Sequence, residues 1–466
     1  MNTYVKNYWS LYLDFIHDFQ NLKYSGFSLS YLVHFPALIR KNPEIWKALY
    51  DESFTNRLTR QVKDQQEFQD VFDKYFQSHR KKSFVKNENR KVVVIADRLI
   101  RFPSRTFDDY FKPHKTVLIH TNKNKSIEPA ANNIPTKYIS DYKPDIKRET
   151  IQVKNKARAL LKSFKGHHLY KEENFQKVLL TKLEAIINQI EICKKILKDV
   201  PASCIVVSSP NHFGRVVALV AAEQGIATIC MQHGIIANEF GYIPKIATID
   251  AVYGQYEVDW YRKLGVAKKS LAIIGHPRFD QAFQSQTSNR IDFNKELGLD
   301  NRKKTLLVVV RGDRNIGKWK ILLDTISKEL DLNILVKDFP NTNPHELTKA
   351  FPYVHSTQAF DLYDILPNVD CVVSYTSTVG LEAMLMKKPV FILHNTLPSY
   401  TGYFDDLGDV VQKDPKKLGG LIVKYYNDPA WSRHVDGKRE KFLHYAYPDL
   451  GMSGERLSKL VNRLTG

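Results

Sequence analysis

Apolar residues at the start of the chain recur with the spacing of a helix. Six of them stand three or four residues apart: Tyr4, Tyr8, Leu11, Phe15, Phe19 and Leu22. This is the period of one helix face, so the pattern predicts a helix here. Similar spacing returns at 36–58 and 67–76, and we therefore expect residues 1–85 to form an α-helical N-terminal region.

Short apolar runs rich in β-branched residues alternate with helical patterns after residue 90. The predicted strands are 92–95, 116–120, 203–207, 227–231 and 271–274, and the predicted helices include 173–197, 214–224 and 257–264. Buried strands separated by helices are typical of a parallel sheet that is covered on both faces. We assign residues 86–285 to a first Rossmann-like domain.

A polar segment at 284–304 separates this pattern from a second one, and we interpret it as a linker. The alternation then restarts, with strands at 305–310, 333–336, 371–374 and 390–393 and helices at 318–330, 360–366 and 379–387. The sequence therefore predicts an α/β protein with two facing doubly wound domains and a cleft between them. The second domain is assigned to 304–440, and a C-terminal helix to 441–466.

The net charge of the 466 residues is +19, and it is unevenly distributed. Residues 1–200 hold 37 Lys or Arg against 22 Asp or Glu, whereas residues 201–466 hold 32 against 28. The excess indicates that the front half meets an anionic acceptor or an anionic membrane surface. No RNA-binding or zinc-finger motif accompanies the charge, so we expect no nucleic-acid partner. The apolar stripes of the 4–22 helix fit either a membrane interface or burial in the first domain.

Two further features limit the class of protein. No apolar run approaches the ~18 to 20 residues of a membrane-spanning helix, and the first residues lack the apolar core of a signal peptide. We expect a cytoplasmic protein that would be peripheral wherever it meets a membrane. Cysteine spacing predicts neither a zinc site nor a disulfide framework, because the four cysteines form no CxxC pair: Cys193, Cys204, Cys230 and Cys371.

The most informative candidate chemistry follows the predicted strand 371–374. Ser374 ends that strand, Ser377 and Thr378 lead into a predicted helix, and Glu382 follows about one turn later. Free N–H groups at a helix start bind anions, and hydroxyl groups add donors that suit a diphosphate. A carboxylate at Glu382 could accept hydrogen bonds from a ribose. Capping alone would explain the hydroxyl residues, but the following Gly-x-Glu-Ala and Lys-Pro-Val favour a binding site.

Other strand ends also carry candidate residues. His233 lies in a Gln-His-Gly run after strand 227–231, where it fits either a cleft proton acceptor or a hydrogen-bonded core histidine. After strand 271–274, Arg278 could pair with a phosphate, and Asp280 could hold that arginine or cap a helix. Arg311 and Lys337 follow two strands of the second domain and would supply local positive charge for a donor.

Four motifs occur in a familiar order. They are Gln-His-Gly at 232–234, Gly-x-Pro-Arg-x-Asp at 275–280, Ser-x-x-Gly-Leu-Glu-Ala at 377–383 and Lys-Pro-Val at 388–390. Together they resemble the GT-B glycosyltransferase superfamily, above all its branch of bacterial surface polymers. That branch includes capsule and spore-coat polysaccharide biosynthesis proteins and CDP-glycerol glycerophosphotransferases. The non-hydrolysing UDP-N-acetylglucosamine 2-epimerases share much of the same frame.

The resemblance implies a GT-B-like fold and transfer of a sugar from a nucleotide-activated donor to a polysaccharide or lipid-linked acceptor. It implies no cofactor and no catalytic metal. His233 would be the general base, Ser377 and Thr378 would hold the donor diphosphate, and Glu382 would bind the ribose. His276, Arg278 and Asp280 would lie beside the cleft. CDP-glycerol glycerophosphotransferase-like polymer synthesis and a UDP-GlcNAc 2-epimerase-like isomerase remain the alternative functions.

Overall fold

The computed structural model describes residues 1–87, 89–121, 133–164, 166–284, 289–338, 345–395, 397–448 and 451–466. The α-helices are α1 Thr3–Asp18, α2 Phe35–Ile39, α3 Pro43–Ala48, α4 Gln65–His79, α5 Ser104–Tyr110, α6 Lys147–Ser163, α7 Glu173–Asp199, α8 His212–Gln224, α9 Gln255–Lys263, α10 Arg290–Leu297, α11 Ile316–Ser327, α12 Glu346–Ala350, α13 Leu362–Ile365, α14 Thr378–Leu385, α15 Pro415–Asn427, α16 Pro429–Ala446 and α17 Ser453–Thr465. The strands are β1 Lys23–Tyr24, β2 Phe27–Ser28, β3 Lys91–Ala96, β4 Thr116–His120, β5 Thr136–Tyr138, β6 Ala202–Val207, β7 Ala227–Met231, β8 Ile249–Val252, β9 Leu271–Ile273, β10 Thr305–Val309, β11 Asn333–Lys337, β12 Val354–Ser356, β13 Cys371–Ser374, β14 Val390–Leu393 and β15 Val411–Gln412.

The first domain is built on a seven-stranded sheet in the order β5-β4-β3-β6-β7-β8-β9. All of its neighbouring strands are parallel. The chain moves outward from β3 to β5 and then crosses to the other side of β3, where β6 begins the second half of the sheet. This reversal opens a crevice beyond the carboxyl ends of β3 and β6, which is where ligands of doubly wound sheets bind.

The second domain repeats this winding in a six-stranded parallel sheet, in the order β12-β11-β10-β13-β14-β15. Val309 at the end of β10 is in register with Lys337 on one side and Ser374 on the other. The carboxyl ends of these three central strands therefore meet at one edge. The predicted α/β architecture, with two doubly wound domains, is confirmed.

The helical N-terminal region packs directly onto the first domain. Its apolar side chains share one continuous core with the first sheet and with helices α7 and α8. Arg215 on α8 is 1% exposed and donates to the Tyr12 hydroxyl and the Val33 carbonyl. Trp9 is fully buried, so the interpretation of α1 as a core helix is correct. The expectation of helices alone was incomplete, because β1 and β2 form a short antiparallel hairpin.

The structure differs from the predicted domain boundaries at two places. The segment interpreted as a linker contains α10, which Asn289 caps at its start and Gly298 ends in the left-handed region at φ 68°. Residues 285–288, including the predicted end of the first domain, lie outside the described ranges. The predicted helix at 441–466 is two helices: α16 ends at Ala446, and α17 starts at Ser453. Helix α17 packs against α5 and β6, which belong to the first domain.

Within the described ranges, no helix is both long enough and apolar enough to cross a membrane. All four cysteines are buried as free thiols, and burial raises the pKa of Cys193 and Cys204 to about 12. They therefore contribute to the core as small apolar side chains.

Candidate functional site

The turn after β7 contacts the first residue of α14, so the two domains meet at the predicted site. The backbone N–H of Ile235 donates to the Thr378 hydroxyl oxygen at 3.1 Å. A Cβ placed on Gly234 would lie 3.0 Å from that same oxygen and 3.5 Å from the Tyr242 hydroxyl. Glycine is therefore the residue that allows this close approach, and the Gln-His-Gly run joins a motif of the second domain.

Gln232 fixes the shape of that turn. Its side-chain amide donates to the Gly234 carbonyl and to the Glu257 carboxylate, both at 2.9 Å, and its oxygen accepts from the Tyr253 N–H at 3.0 Å. Burial raises the pKa of Glu257 to about 7. The glutamine side chain therefore links the ends of β7 and β8.

His233 lies in this turn as a largely buried imidazole. Its ring stacks on Tyr242, with the centroids 4.9 Å apart and the planes 15° from parallel. Its Nδ1 atom is buried without a hydrogen-bond partner. Burial lowers the pKa of His233 to about 4, and the main chain of Ser208 opposes that shift. The ring is therefore neutral near pH 7 and retains an unused nitrogen, as a proton acceptor requires.

Arg278 and Glu382, predicted separately as cleft residues, form an ion pair across the two domains. Arg278 Nη2 lies 2.6 Å from Glu382 Oε2, and their side chains are 14% and 1% exposed. The Tyr363 hydroxyl donates to Glu382 Oε1 at 2.9 Å. Burial, the largest single effect, would lower the pKa of Arg278, but the combined effects of Glu382, Tyr363 and Tyr253 raise the pKa. The Nε atom of Arg278 is buried without a partner, so the guanidinium retains an unused donor.

Arg101 is a candidate site residue that the sequence analysis missed. It lies in the loop after β3 at a φ of 44°, in the left-handed region that few non-glycine residues adopt. Its charge acts on His233 and His276, and Arg278 and Glu382 act on it in turn. The signal in the sequence was its place after the first central strand, at the reversal point of the sheet. Two arginines thus face this part of the cleft.

The hydroxyl residues after β13 have local partners. Ser374 is buried and donates to the neighbouring Tyr375 carbonyl at 2.7 Å. Ser377 is the N-cap of α14 and accepts from the Val379 N–H at 3.2 Å. Helix capping, which the sequence analysis gave as one explanation for these hydroxyl residues, is therefore present at Ser377. An N-cap oxygen leaves its own hydroxyl hydrogen free to donate, so the diphosphate role of Ser377 and Thr378 stays a prediction.

The two outer residues of the 276–280 run stabilise the local structure. His276 is 3% exposed, and its Nδ1 accepts from the Arg278 N–H at 3.1 Å, which caps a short 3₁₀ helix. Asp280 accepts from the N–H groups of Ser453 and Gly454 at 2.9 and 3.0 Å, at the start of α17. Of the alternatives for Asp280, capping is the one observed. In this run, the buried Nε of Arg278 has no hydrogen-bond partner.

Arg311 and Lys337 lie at the carboxyl edge of the second sheet. Lys337 Nζ donates to the Phe360 carbonyl and contacts the Thr357 carbonyl at 3.5 Å, so it secures the loop after β12. Arg311 is exposed just beyond β10, between the ends of β11 and β13. Their roles in donor binding stay predictions. Among the described residues, no group of three or more His, Cys, Asp or Glu side chains is arranged to hold a metal ion.

Several solved structures share this architecture at low sequence identity. UDP-GlcNAc 2-epimerase from Neisseria meningitidis bound to UDP-GlcNAc aligns with a TM-score of 0.54 and 11% identity, over 81% of this chain and 100% of that one. A glycosyltransferase from Rickettsia africae ESF-5 aligns with a TM-score of 0.51 and 10% identity, over 81% and 99% of the two chains. A further UDP-N-acetylglucosamine 2-epimerase gives a TM-score of 0.51 at 13% identity, over 81% and 94%.

No protein-family model and no curated protein matches the sequence. At identities of 10 to 13% the structural likeness shows the fold alone. The chain has the GT-B-type fold that its motifs resemble: two facing doubly wound domains with candidate residues at the carboxyl ends of both sheets.

Proposed function

We propose that this GT-B-fold protein is a glycosyltransferase that takes a sugar from a nucleotide-activated donor. One observation carries the proposal: candidate residues from the two domains converge in one cleft, at the carboxyl ends of both sheets. His233, Arg101 and Arg278 come from the first domain, and Thr378 and Glu382 from the second. Such a cleft can hold a donor on one side and an acceptor on the other.

The donor would bind at the start of α14. The backbone N–H groups there and the Ser377 and Thr378 hydroxyls would hold the diphosphate, because a helix N-terminus attracts anions. Arg101 and the unused Nε of Arg278 would add positive charge beside it. Glu382 would exchange its Arg278 partner for the ribose hydroxyls of the nucleotide. This exchange would release the Arg278 guanidinium from Glu382, so that it could pair with the negatively charged diphosphate of the bound donor.

The transfer would be a single displacement. The acceptor hydroxyl loses its proton to His233 while its oxygen bonds to the anomeric carbon of the sugar. The bond from that carbon to the diphosphate oxygen breaks, and the electron pair leaves with the nucleoside diphosphate. Fixed donors and arginines stabilise that charge by preorganised electrostatics. A bound diphosphate would also raise the pKa of His233 and improve it as a base. We expect no divalent cation to be required.

The acceptor in this proposal is a bacterial surface or spore-coat polysaccharide, or a lipid-linked precursor of one. Its support is the motif resemblance together with the basic excess of the front half. CDP-glycerol glycerophosphotransferase-like synthesis would use the same cleft with glycerol phosphate as the transferred group. An epimerase would act on the nucleotide sugar without any acceptor. The need for an acceptor therefore distinguishes the glycosyltransferase proposal from the epimerase alternative.

Binding of the donor class is tested first by thermal shift with UDP-, CDP-, GDP- and CMP-linked donors. The correct class stabilises the fold by mass action, by about 2.7 kcal/mol at a hundredfold excess over Kd. The donor that binds is then incubated alone, with acceptor polysaccharide, and with acceptor plus EDTA. Sugar transfer that survives EDTA is the expected result. Conversion of UDP-GlcNAc to its manno isomer without acceptor would identify the epimerase instead.

His233 is tested in the same assay. We expect His233→Ala to lower kcat by about 10² to 10⁴, the usual contribution of a general base, with little change in donor affinity. The matched control is His434→Ala, which removes an exposed histidine of the second domain. Full transfer activity of His233→Ala with the correct donor and acceptor would exclude His233 as the base.

A further inference from the structure

Helix α6 carries an outer surface that combines five cations with one apolar side chain. We call it the basic face of α6, and its residues are Lys147, Arg148, Ile151, Lys156, Arg158 and Lys162. All six are exposed, and Ile151 is 61% exposed. Arg148 and Lys162 are fourteen residues apart, which places them on one line about 21 Å long at 1.5 Å per residue.

The opposite side of α6 accounts for its attachment to the protein. Thr150, Val153, Ala157 and Leu161 are buried at helical spacing, and the helix packs against α7. Lys154 turns inward to an ion pair with Glu184 of α7. One side of α6 therefore packs against the protein, and the basic face makes no contribution to that packing.

The charge of the basic face is not neutralised within the described part of the chain. No exposed residue of α6 is acidic, since its one carboxylate, Glu149, is half-buried. None of the five cations forms an ion pair with a described residue. By contrast, the exposed residues of α7 mix acids such as Glu173 and Glu184 with lysines such as Lys177. Unpaired surface charge of one sign repels itself and favours an anionic partner.

We propose that the basic face of α6 docks on an anionic lipid bilayer. Cations held close to an anionic leaflet each add to the affinity, and the exposed Ile151 between them can enter the boundary of the acyl chains. A nucleic acid fits less well, because the exposed residues of α6 include no aromatic side chain on which a base could stack. The docking goes beyond the proposed reaction and would hold whichever reaction the cleft performs.

This assignment moves the membrane hypothesis from α1 to α6. Helix α1 has the aromatic residues that suit an interface, but the fold buries Tyr8, Trp9 and Phe15. The apolar spacing of α1 therefore reflects burial in the core of the first domain, whereas the cations of α6 lie on the protein surface.

The test is co-sedimentation of the full chain with vesicles of phosphatidylglycerol and phosphatidylcholine, against vesicles of phosphatidylcholine alone. We expect binding to the anionic vesicles only, and its loss at 0.5 M NaCl, because salt screens surface charge. Replacing Arg148, Lys156, Arg158 and Lys162 together by Gln should weaken binding by roughly a hundredfold or more. Ile151→Ser should weaken it by a few-fold.

A control variant replaces four exposed cations of the second domain by Gln: Lys349, Lys417, Arg433 and Lys441. It changes the net charge equally and should bind anionic vesicles as the unmodified protein does. Circular dichroism should show unchanged folding for both variants, since Gln is a good helix former. Absence of vesicle binding, equal binding to neutral vesicles, or an equal loss in both quadruple variants would overturn the proposal. Binding to heparin but not to anionic vesicles would also overturn it.

Discussion

At the scale of single residues, the cleft depends on groups whose hydrogen-bonding capacity is only partly used. Arg278 pairs with Glu382 and still has a buried Nε without a partner, and His233 has a buried Nδ1 in the same condition. Buried polar atoms are nearly always paired in proteins. In the proposed function, a bound polar substrate would supply partners for these two atoms.

We predict that Glu382→Gln costs about 3 kcal/mol of folding stability, because it leaves the charge of Arg278 buried without its partner. The double variant Arg278→Gln with Glu382→Gln should recover much of that loss and still fail to bind the nucleotide donor. Urea unfolding measures the first effect, and donor thermal shift measures the second. Donor binding by the double variant at normal affinity would show that the pair serves stability alone.

A second prediction concerns pH and His276. Burial, followed by the charges of Arg278 and Arg101, lowers the pKa of His276 well below its usual value of about 6.5. Between that folded value and 6.5, only the unfolded chain takes up the proton, so stability is full above pH 6.5 and falls as the pH is lowered. We expect this one histidine to cost up to about 2 kcal/mol by pH 5, since each pH unit below 6.5 adds at most about 1.4 kcal/mol.

His276→Asn tests this effect, because Asn retains an acceptor for the Arg278 N–H and cannot titrate. Urea unfolding at pH 7.5, 6.0 and 5.0 should give a flatter dependence for the variant than for the unmodified protein. His434→Asn, at an exposed histidine, should leave the slope as it was. An unchanged slope in His276→Asn would contradict the assignment.

At the scale of elements, the accuracy of sequence prediction follows the length of unbroken apolar runs. Strands 116–120, 227–231, 371–374 and 390–393 were predicted with the bounds they have, because a parallel strand buried on both faces is an unbroken apolar run. The edge strands β5, β12 and β15 were missed, because they have two or three residues each and leave almost no pattern. The buried strand β8 was also missed, since Asp250 interrupts its apolar run, whereas the edge strand β9 was predicted from the unbroken run 271–274.

Some features of the candidate site could likewise be predicted from the sequence, and others could not. The segments after strands that carry His233, Arg278 and Glu382 could be predicted, because ligands of parallel sheets bind where strands end. The ion pair between Arg278 and Glu382 could not, since it joins residues 104 positions apart in sequence. Arg101 was missed for the same reason: its importance comes from neighbours that only the folded chain provides.

Helix α17 supports a prediction about the first domain. Leu457 is fully buried in a core shared with β3, β4 and β6. Leu457→Ala should cost about 2 to 4 kcal/mol, through lost apolar burial and the cavity left behind. Arg463→Ala, at an exposed position of the same helix, should change stability by less than about 0.5 kcal/mol. Chemical unfolding compares the two, and a small effect of Leu457→Ala would mean that α17 is only loosely attached.

At the scale of the whole molecule, the charge of +19 makes stability dependent on salt. Like charges on one surface repel each other and destabilise the compact state, and the Debye length falls to about 10 Å at 0.1 M salt. We predict that Tm rises by a few degrees between 0.02 and 0.3 M NaCl. The quadruple α6 variant, which removes four positive charges, should show a smaller rise. A Tm that falls with NaCl would indicate that ion pairs outweigh the repulsion.

The path of the chain between the domains has a consequence for synthesis. Residues 86–284 build most of the first domain, the second domain follows, and α17 then returns to cover the first sheet beside β6. While a ribosome extends the chain, the second domain can close as soon as its own strands emerge. Until residues 453–465 arrive, Val92, Leu118 and Cys204 lack the apolar side chains that α17 adds to their cluster, although Phe102 and Phe107 already belong to it. The first domain is therefore synthesised before the second but completes its core after it, and part of its apolar surface is accessible to a chaperone during that interval.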